Sequence, residues 1–266
     1  MAEMQRESER EGAGKPRVAV VGLASCFGCQ LQIANDEAHL LDVVGQLDIR
    51  YWQLASSEPE PEGPVDVVVI EGAVTTAESA EVVRRWRERA DTLIAAGACA
   101  TTAGIPGLAA AGFPARVSEV YPSSLPQACG EVCEPRPVSA VVDVDFEVRC
   151  CPIDTADFVR VLQHALFGSN AVPSTDTMCG SCKRNETGCL WNSGIVCLGL
   201  VTLSGCGAKC VNLGRECNGC RGLSPDANLA AARALAASRG ASADFDAALS
   251  LFNEVNPMLA RAGEEG

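Results

Sequence analysis

The chain has 266 residues, of which 47% are hydrophobic and 15 are cysteine, and it carries a net charge of −13 at neutral pH. So acidic a chain repels nucleic acid and anionic lipid, which excludes both as partners. No apolar run approaches the roughly 18 residues of a membrane span, so an integral membrane protein is excluded too.

Residues 1–15 are charged and lack an apolar core or paired arginines. They are expected to form a disordered tail and no export signal. The implied compartment is the cytoplasm, where thiols stay reduced and dense cysteines mean metal more often than disulfide.

The first half alternates strand and helix patterns. Residues 17–23 (RVAVVGL) form a β-branched run ending near a glycine and predict a buried strand. After Cys26-Phe-Gly-Cys29, helical spacing of Leu31, Ala34, Ala38, Leu41 and Val44 predicts a helix over 30–47. Residues 48–54 and 65–70 are the second and third strands, with a Pro/Glu loop at 58–64 between them. An amphipathic helix is predicted over 76–90, opening with Thr and Glu at capping positions. Residues 92–96 make a fourth strand, and the Pro-rich stretch 102–137 reads as loop. A fifth strand is predicted over 140–148, a helix over 155–167, and one or two Ala-rich helices over 226–261. This order predicts an α/β, doubly wound, mostly parallel sheet.

In such a sheet, ligands bind beyond the carboxyl ends of the strands. Cys26 and Cys29 follow the first strand, Glu71 the third, Cys99 the fourth and Cys151 the fifth. Four thiolates converging there make a 4Fe–4S site or a structural zinc site. A single such cysteine would be read as a small buried hydrophobe; four at sheet ends favour a shared site.

The densest stretch is 179–220, with eight cysteines: Cys179, Cys182, Cys189, Cys197, Cys206, Cys210, Cys217 and Cys220. It is Gly-rich and short of apolar runs, so its own side chains are not expected to order it. Disulfides, zinc or iron–sulfur clusters have to hold it. Cys179-x2-Cys182 with Cys217-x2-Cys220 would also seat one zinc of a zinc-stapled binding module, a competing reading that leaves the other cysteines needing further zincs. His39 and His164 lack cysteine neighbours and read as ordinary helix residues. Trp52, Trp86 and Trp191 read as packing or interface residues.

The ordered series Cys26-Phe-Gly-Cys29-Gln30, Ile70-Glu71-Gly72-Ala73, Gly97-Ala98-Cys99-Ala100 with Gly104, Cys151-Pro152, Cys189-Leu190, Cys197-Leu198-Gly199-Leu200-Val201-Thr202, Cys206 and Cys217-Asn218-Gly219-Cys220 resembles the small, electron-transferring subunits of nickel–iron hydrogenases. The resemblance spans about residues 17–223 and implies a flavodoxin-like domain over 16–172. A cysteine-rich, loop-dominated iron–sulfur segment with a helical tail would follow over 173–266. It implies three 4Fe–4S clusters: proximal on Cys26, Cys29, Cys99 and Cys151, distal on Cys179, Cys182, Cys189 and Cys197, medial on Cys206, Cys210, Cys217 and Cys220. Cys179 stands where membrane-bound relatives use His, and Cys210 where they commonly have Pro and a three-iron medial cluster. Gly199-Leu200 replaces the usual Gly-Pro, which is expected to alter a turn and no ligand.

With all twelve ligands assigned, no cysteine pairs remain for nickel. The nickel–iron centre is therefore expected in a partner large subunit, with electrons passing to a flavin/NAD(P) or ferredoxin-like partner. The compact cassette and the tail at Leu251-Phe252-Asn253 look most like the sulfhydrogenase or NADP-linked delta subunit. Relatives coupled to heterodisulfide reductase or to a deazaflavin coenzyme are the alternative. Glu71 is weighed as an interface polar or proton-carrying group against a capped strand end or surface carboxylate. Cys129 and Cys133 read as loop thiols, and Cys150 as a packing residue beside a cluster.

Overall fold

The computed structural model describes residues 14–35, 45–121, 130–168 and 174–259. Most of the expected tail, His39, Cys129 and the later part of the first predicted helix lie outside these residues. Strands β1 (Arg17–Gly22), β2 (Asp48–Trp52) and β3 (Val65–Glu71) form in turn, with helix α1 (Gly28–Ala34) between the first two. A short β4 (Val74–Thr76) leads into α2 (Ala77–Arg89) and β5 (Ala90–Ala96). Helices α3 (Gly97–Thr102), α4 (Gly104–Gly107) and α5 (Ala115–Val120) follow, then β6 (Val132–Arg136), β7 (Phe146–Val148) and α6 (Thr155–Phe167). The cassette holds α7 (Met178–Arg184) and α8 (Lys209–Asn212), and α9 (Leu229–Ser238) and α10 (Ser242–Asn253) close the chain.

The main sheet is parallel throughout, in the order β2-β1-β3-β5-β7. That is the flavodoxin-like order, as expected. Side-chain alternation along β3 explains the layering. Val68 and Ile70 face one side, packed with Val83 and Trp86 of α2, while Val67 and Val69 face the other with Phe158 and Leu162 of α6. Trp86 is fully buried, stacks on Tyr51 at 5.6 Å and lies under the Arg89 guanidinium at 4.4 Å, so it is a packing residue.

Three local expectations needed correction. The capping box of α2 pairs Thr76 with Ser79: Thr76 Oγ1 accepts the Ser79 N–H and Ser79 Oγ accepts the Thr76 N–H, each at 3.0 Å. Glu78 instead accepts the Glu131 N–H across to the start of β6. The fifth strand is only three residues long, because Asp145 takes over the ladder with its side chain. Its carboxylate accepts the Leu93 N–H at 2.7 Å and pairs with Arg87. The Pro-rich stretch contains β6, antiparallel to β4, with Pro135 tolerated in that two-stranded ribbon.

The cassette also has a core of its own. Met178, Trp191, Leu198, Val201 and Leu223 pack with Leu229, Ala232, Phe245 and Leu249 from α9 and α10. The apolar surface that residues 179–220 lack is supplied by the helical tail. Full burial of Phe245 alone is worth about 2–3 kcal/mol.

Candidate metal centres

At the carboxyl edge of the sheet, the loops after β1 and β3 are joined. The Leu23 N–H donates to Glu71 O at 2.7 Å, and Ala24 and Ala73 exchange backbone hydrogen bonds. Phe27, at φ 58°, turns the chain into α1, so Cys26 precedes the helix and Cys29 sits in its first turn. The Glu71 carboxylate then fixes that turn, accepting the Cys29 N–H at 3.0 Å and the Gln30 side-chain amide at 2.9 Å. Gln30 Oε1 in turn accepts the Trp52 indole N–H at 2.8 Å. Glu71 is 2% exposed, so the surface-carboxylate reading is wrong; it is a buried strand-end anchor.

Cys99 arrives on α3 and Cys151 on the turn after β7. The Ala98 N–H donates to Cys150 O at 2.8 Å and ties those two segments together. Gly97, at φ +88°, lies so close under Cys29 that a β-carbon there would be 2.4 Å from its sulfur. The thiols act on one another electrostatically. Burial first, then Glu71, pushes Cys29 upward. Burial, Cys26 and Glu71 push Cys99 up to about 11. For Cys151 burial, Cys99, Cys26 and Glu71 all push the same way, also to about 11. The four strand-end cysteines lie on this one edge of the sheet, with Cys26 and Cys151 exposed. Such a set is unfavourable as free thiolates and suits a positively charged iron core, which supplies the missing counter-charge.

In the cassette, α7 presents Cys179 and Cys182, while Cys189 and the buried Cys197 flank the 3₁₀ turn Leu190–Ser193. Burial raises Cys179, and after it the charges of Cys182, Cys197 and Cys189. Trp191 is buried there, its indole N–H donating to Cys197 O at 2.9 Å. Cys206 and Cys217 adjoin this set. Burial pushes Cys217 up to about 12, helped by Cys197 and Cys206. The Cys217 N–H also reaches Cys197 Sγ at 3.4 Å. Cys210, on α8, is exposed.

Sequence reasoning did not place Cys150 in a group. Its sulfur lies 3.5 Å from Cys220 Sγ, while the Cys206 thiol donates to Met178 Sδ at 3.8 Å. Cys133 is half-buried in β6. His164 packs its ring against Phe146 at 5.0 Å, as an ordinary helix residue does. The fourteen described cysteines are all free. Among the described residues no three His, Cys, Asp or Glu close on a point as a single metal ion needs.

The model of the family described as NADH ubiquinone oxidoreductase, 20 Kd subunit, matches residues 26–165. The chain is 36% identical to sulfhydrogenase 2 subunit delta of Pyrococcus furiosus, over 80% of this chain and 89% of that one. It is 33% identical to a subunit of the F420-non-reducing hydrogenase of Methanothermobacter marburgensis, over 79% of each. Among solved structures it matches a chain of an NAD+-reducing [NiFe]-hydrogenase in the H2-reduced state, with a TM-score of 0.53 and 26% identity, covering 60% of this chain and 96% of that one. No helix among the described residues is long and apolar enough to cross a membrane.

Proposed function

Since this chain belongs to the NADH ubiquinone oxidoreductase 20 Kd subunit family and is a small subunit of a nickel–iron hydrogenase, we propose that it conducts electrons between a partner's nickel–iron centre and an external acceptor. The route runs over three 4Fe–4S clusters: proximal on Cys26, Cys29, Cys99 and Cys151, medial on Cys206, Cys210, Cys217 and Cys220, distal on Cys179, Cys182, Cys189 and Cys197. The single observation carrying this reading is that three cysteine-bearing strand ends are tied together at one edge, the Cys29 N–H donating to the buried Glu71 at 3.0 Å and the Ala98 N–H, beside Cys99, donating at 2.8 Å to Cys150 O, beside Cys151. The clusters, when bound, supply the one-electron carriers.

The chain's own residues hold and shield them. Glu71 locks the Cys26–Cys29 turn through two hydrogen bonds, and Gly97 leaves room for the Cys29 sulfur. A proton-carrying role for Glu71 toward the partner also belongs to this proposal. The core of Trp191, Leu198, Phe245 and Leu249 keeps water from the cassette's inner sulfurs. Residues 16–172 form the sheet domain with the proximal site, and 173–266 the segment with the other two. The large subunit docks where Cys26 and Cys151 are exposed. The compartment is the cytoplasm, consistent with a chain so rich in free thiols.

For the acceptor, the name of the NAD+-reducing structural relative favours a flavin/NAD(P) or ferredoxin-type partner. The name F420-non-reducing on relatives such as that of M. marburgensis speaks against a deazaflavin coenzyme, and that alternative is set aside. The test is purification of the native complex without oxygen. The protein should be brown, carry about twelve irons and as many sulfides per chain, and bring down a nickel-containing large subunit. A colourless protein with stoichiometric zinc, or one without a nickel partner, would end the proposal.

A further inference from the structure

Cys150 is left over when twelve cysteines are assigned, yet it is held in a costly backbone conformation. Its φ is +148°, a region residues with a β-carbon seldom adopt. The strained residue faces a sulfur: its Sγ is 3.5 Å from Cys220 Sγ. Its neighbour Cys151 belongs to the other set, sensing Cys99 and Cys26. Adjacent residues therefore address two different groups of thiols, one peptide bond apart.

We propose that Cys150 is a positioning residue that donates its S–H to the Cys220 ligand sulfur of the medial cluster and so raises that cluster's reduction potential. This rests on the reading of Cys206 and Cys220 as medial ligands. Given that reading, the chemistry of the contact is constrained. A cysteine bound to iron has lost its proton, so the hydrogen in the Cys150–Cys220 contact belongs to Cys150. Ligands on separate corners of one cube stand further apart than two sulfurs in contact, so Cys150 is a donor to Cys220 and no fifth ligand. A hydrogen bond to a ligand sulfur stabilises the reduced, more negative cluster more than the oxidised one, and the potential rises.

The test is a potentiometric titration of the intact complex followed by electron paramagnetic resonance, with iron counted in parallel. Cys150→Ala should keep all its iron and show one cluster moved to lower potential. Cys150→Ser, which retains a donor, should move it less. Cys150→Gly, which removes the thiol and suits the backbone, should match Cys150→Ala and exclude a folding artefact. Cys206→Ser should lose iron from the medial site. If Cys206→Ser loses iron while Cys150→Ala and Cys150→Gly leave every potential unmoved, the donor role is refuted and the ligand reading stands. Iron loss in Cys150→Gly would refute the donor role in favour of a ligand. If Cys206→Ser keeps all its iron, both fall.

Discussion

Replacing Gly97 by Ala gives the sharpest test of the strand-end site. The new methyl would lie 2.4 Å from Cys29 Sγ, 3.7 Å from Cys29 Cβ and 3.8 Å from Cys150 O. Ordinary contacts run at about 3.5–4.0 Å, so the overlap with the sulfur alone exceeds about 1 Å. Backbone relaxation is restricted, since Gly97 follows the last residue of β5 and its neighbour Ala98 is hydrogen-bonded to Cys150 O. Holding Ala at φ +88° costs about 1–2 kcal/mol, and overpacking brings the total to about 2–5 kcal/mol. The cheapest escape is rotation of the Cys29 side chain, which removes its sulfur from the site. We therefore expect Gly97→Ala to retain the fold but to fall from about twelve to about eight irons per chain. Gly63→Ala, whose β-carbon meets nothing within 4 Å, is the control. Iron and labile sulfide assays on protein purified without oxygen read the outcome. A Gly97→Ala protein with full iron and an unaltered spectrum would refute both the clash and the placement of Cys29 as a ligand.

Cys210→Pro should convert the medial site to a three-iron cluster, seen as a new oxidised-state paramagnetic signal with a higher potential; an unchanged iron count would remove Cys210 from the ligand set. Arg221→Met tests the joint between sheet domain and cassette. Arg221 is buried, pairs with Asp157 at 3.0 Å, and donates to Arg149 O and Ser204 O at 2.8 Å each. Because Arg160 still faces Asp157, the loss should sit near the low end for a broken buried pair, about 3 kcal/mol, or about a hundredfold faster proteolysis of the native protein. Adding Asp157→Leu should recover part of it, and wild-type cleavage rates in Arg221→Met would contradict the joint. At acid pH, Asp66 should contribute a small, salt-sensitive share of stability. Its hydrogen bond with Arg17, opposed by partial burial, holds its carboxyl below the usual range. That share is complete above about pH 4 and is lost as pH falls through the lower folded value. Asp66→Asn should therefore lower the melting temperature at pH 6 more than at pH 3, and an equal effect at both would show the pair to be idle.

Much of the fold was legible because β-branched runs and their spacing leave few alternatives. RVAVVG and VDVVVI have the composition of strands buried on both faces, and both became inner strands of the parallel sheet. The misreadings arose where side chains replaced backbone partners. Asp145 delayed the start of the fifth strand by taking the Leu93 N–H, and Ser79, a poor match to the usual capping pattern, outcompeted Glu78. Neither is visible in hydrophobic periodicity. That Cys26, Cys29, Cys99 and Cys151 share one edge of the sheet could be read from strand ends, since parallel topology sends every carboxyl end to that edge.

The cassette shows where one-dimensional reading stops. Cysteine density and spacing, which depend only on the chain, established that residues 179–220 are built around sulfur. That they are ordered by Phe245 and Leu249 from the tail depended on packing between segments remote in sequence. The burial of Glu71 against Cys29 and Gln30, and the meeting of Cys150 with Cys220, were likewise decided by tertiary structure. Residue type fixes what a group is able to bind, while its neighbours, its exposure and its charge environment are set only when distant strand ends and loops come together.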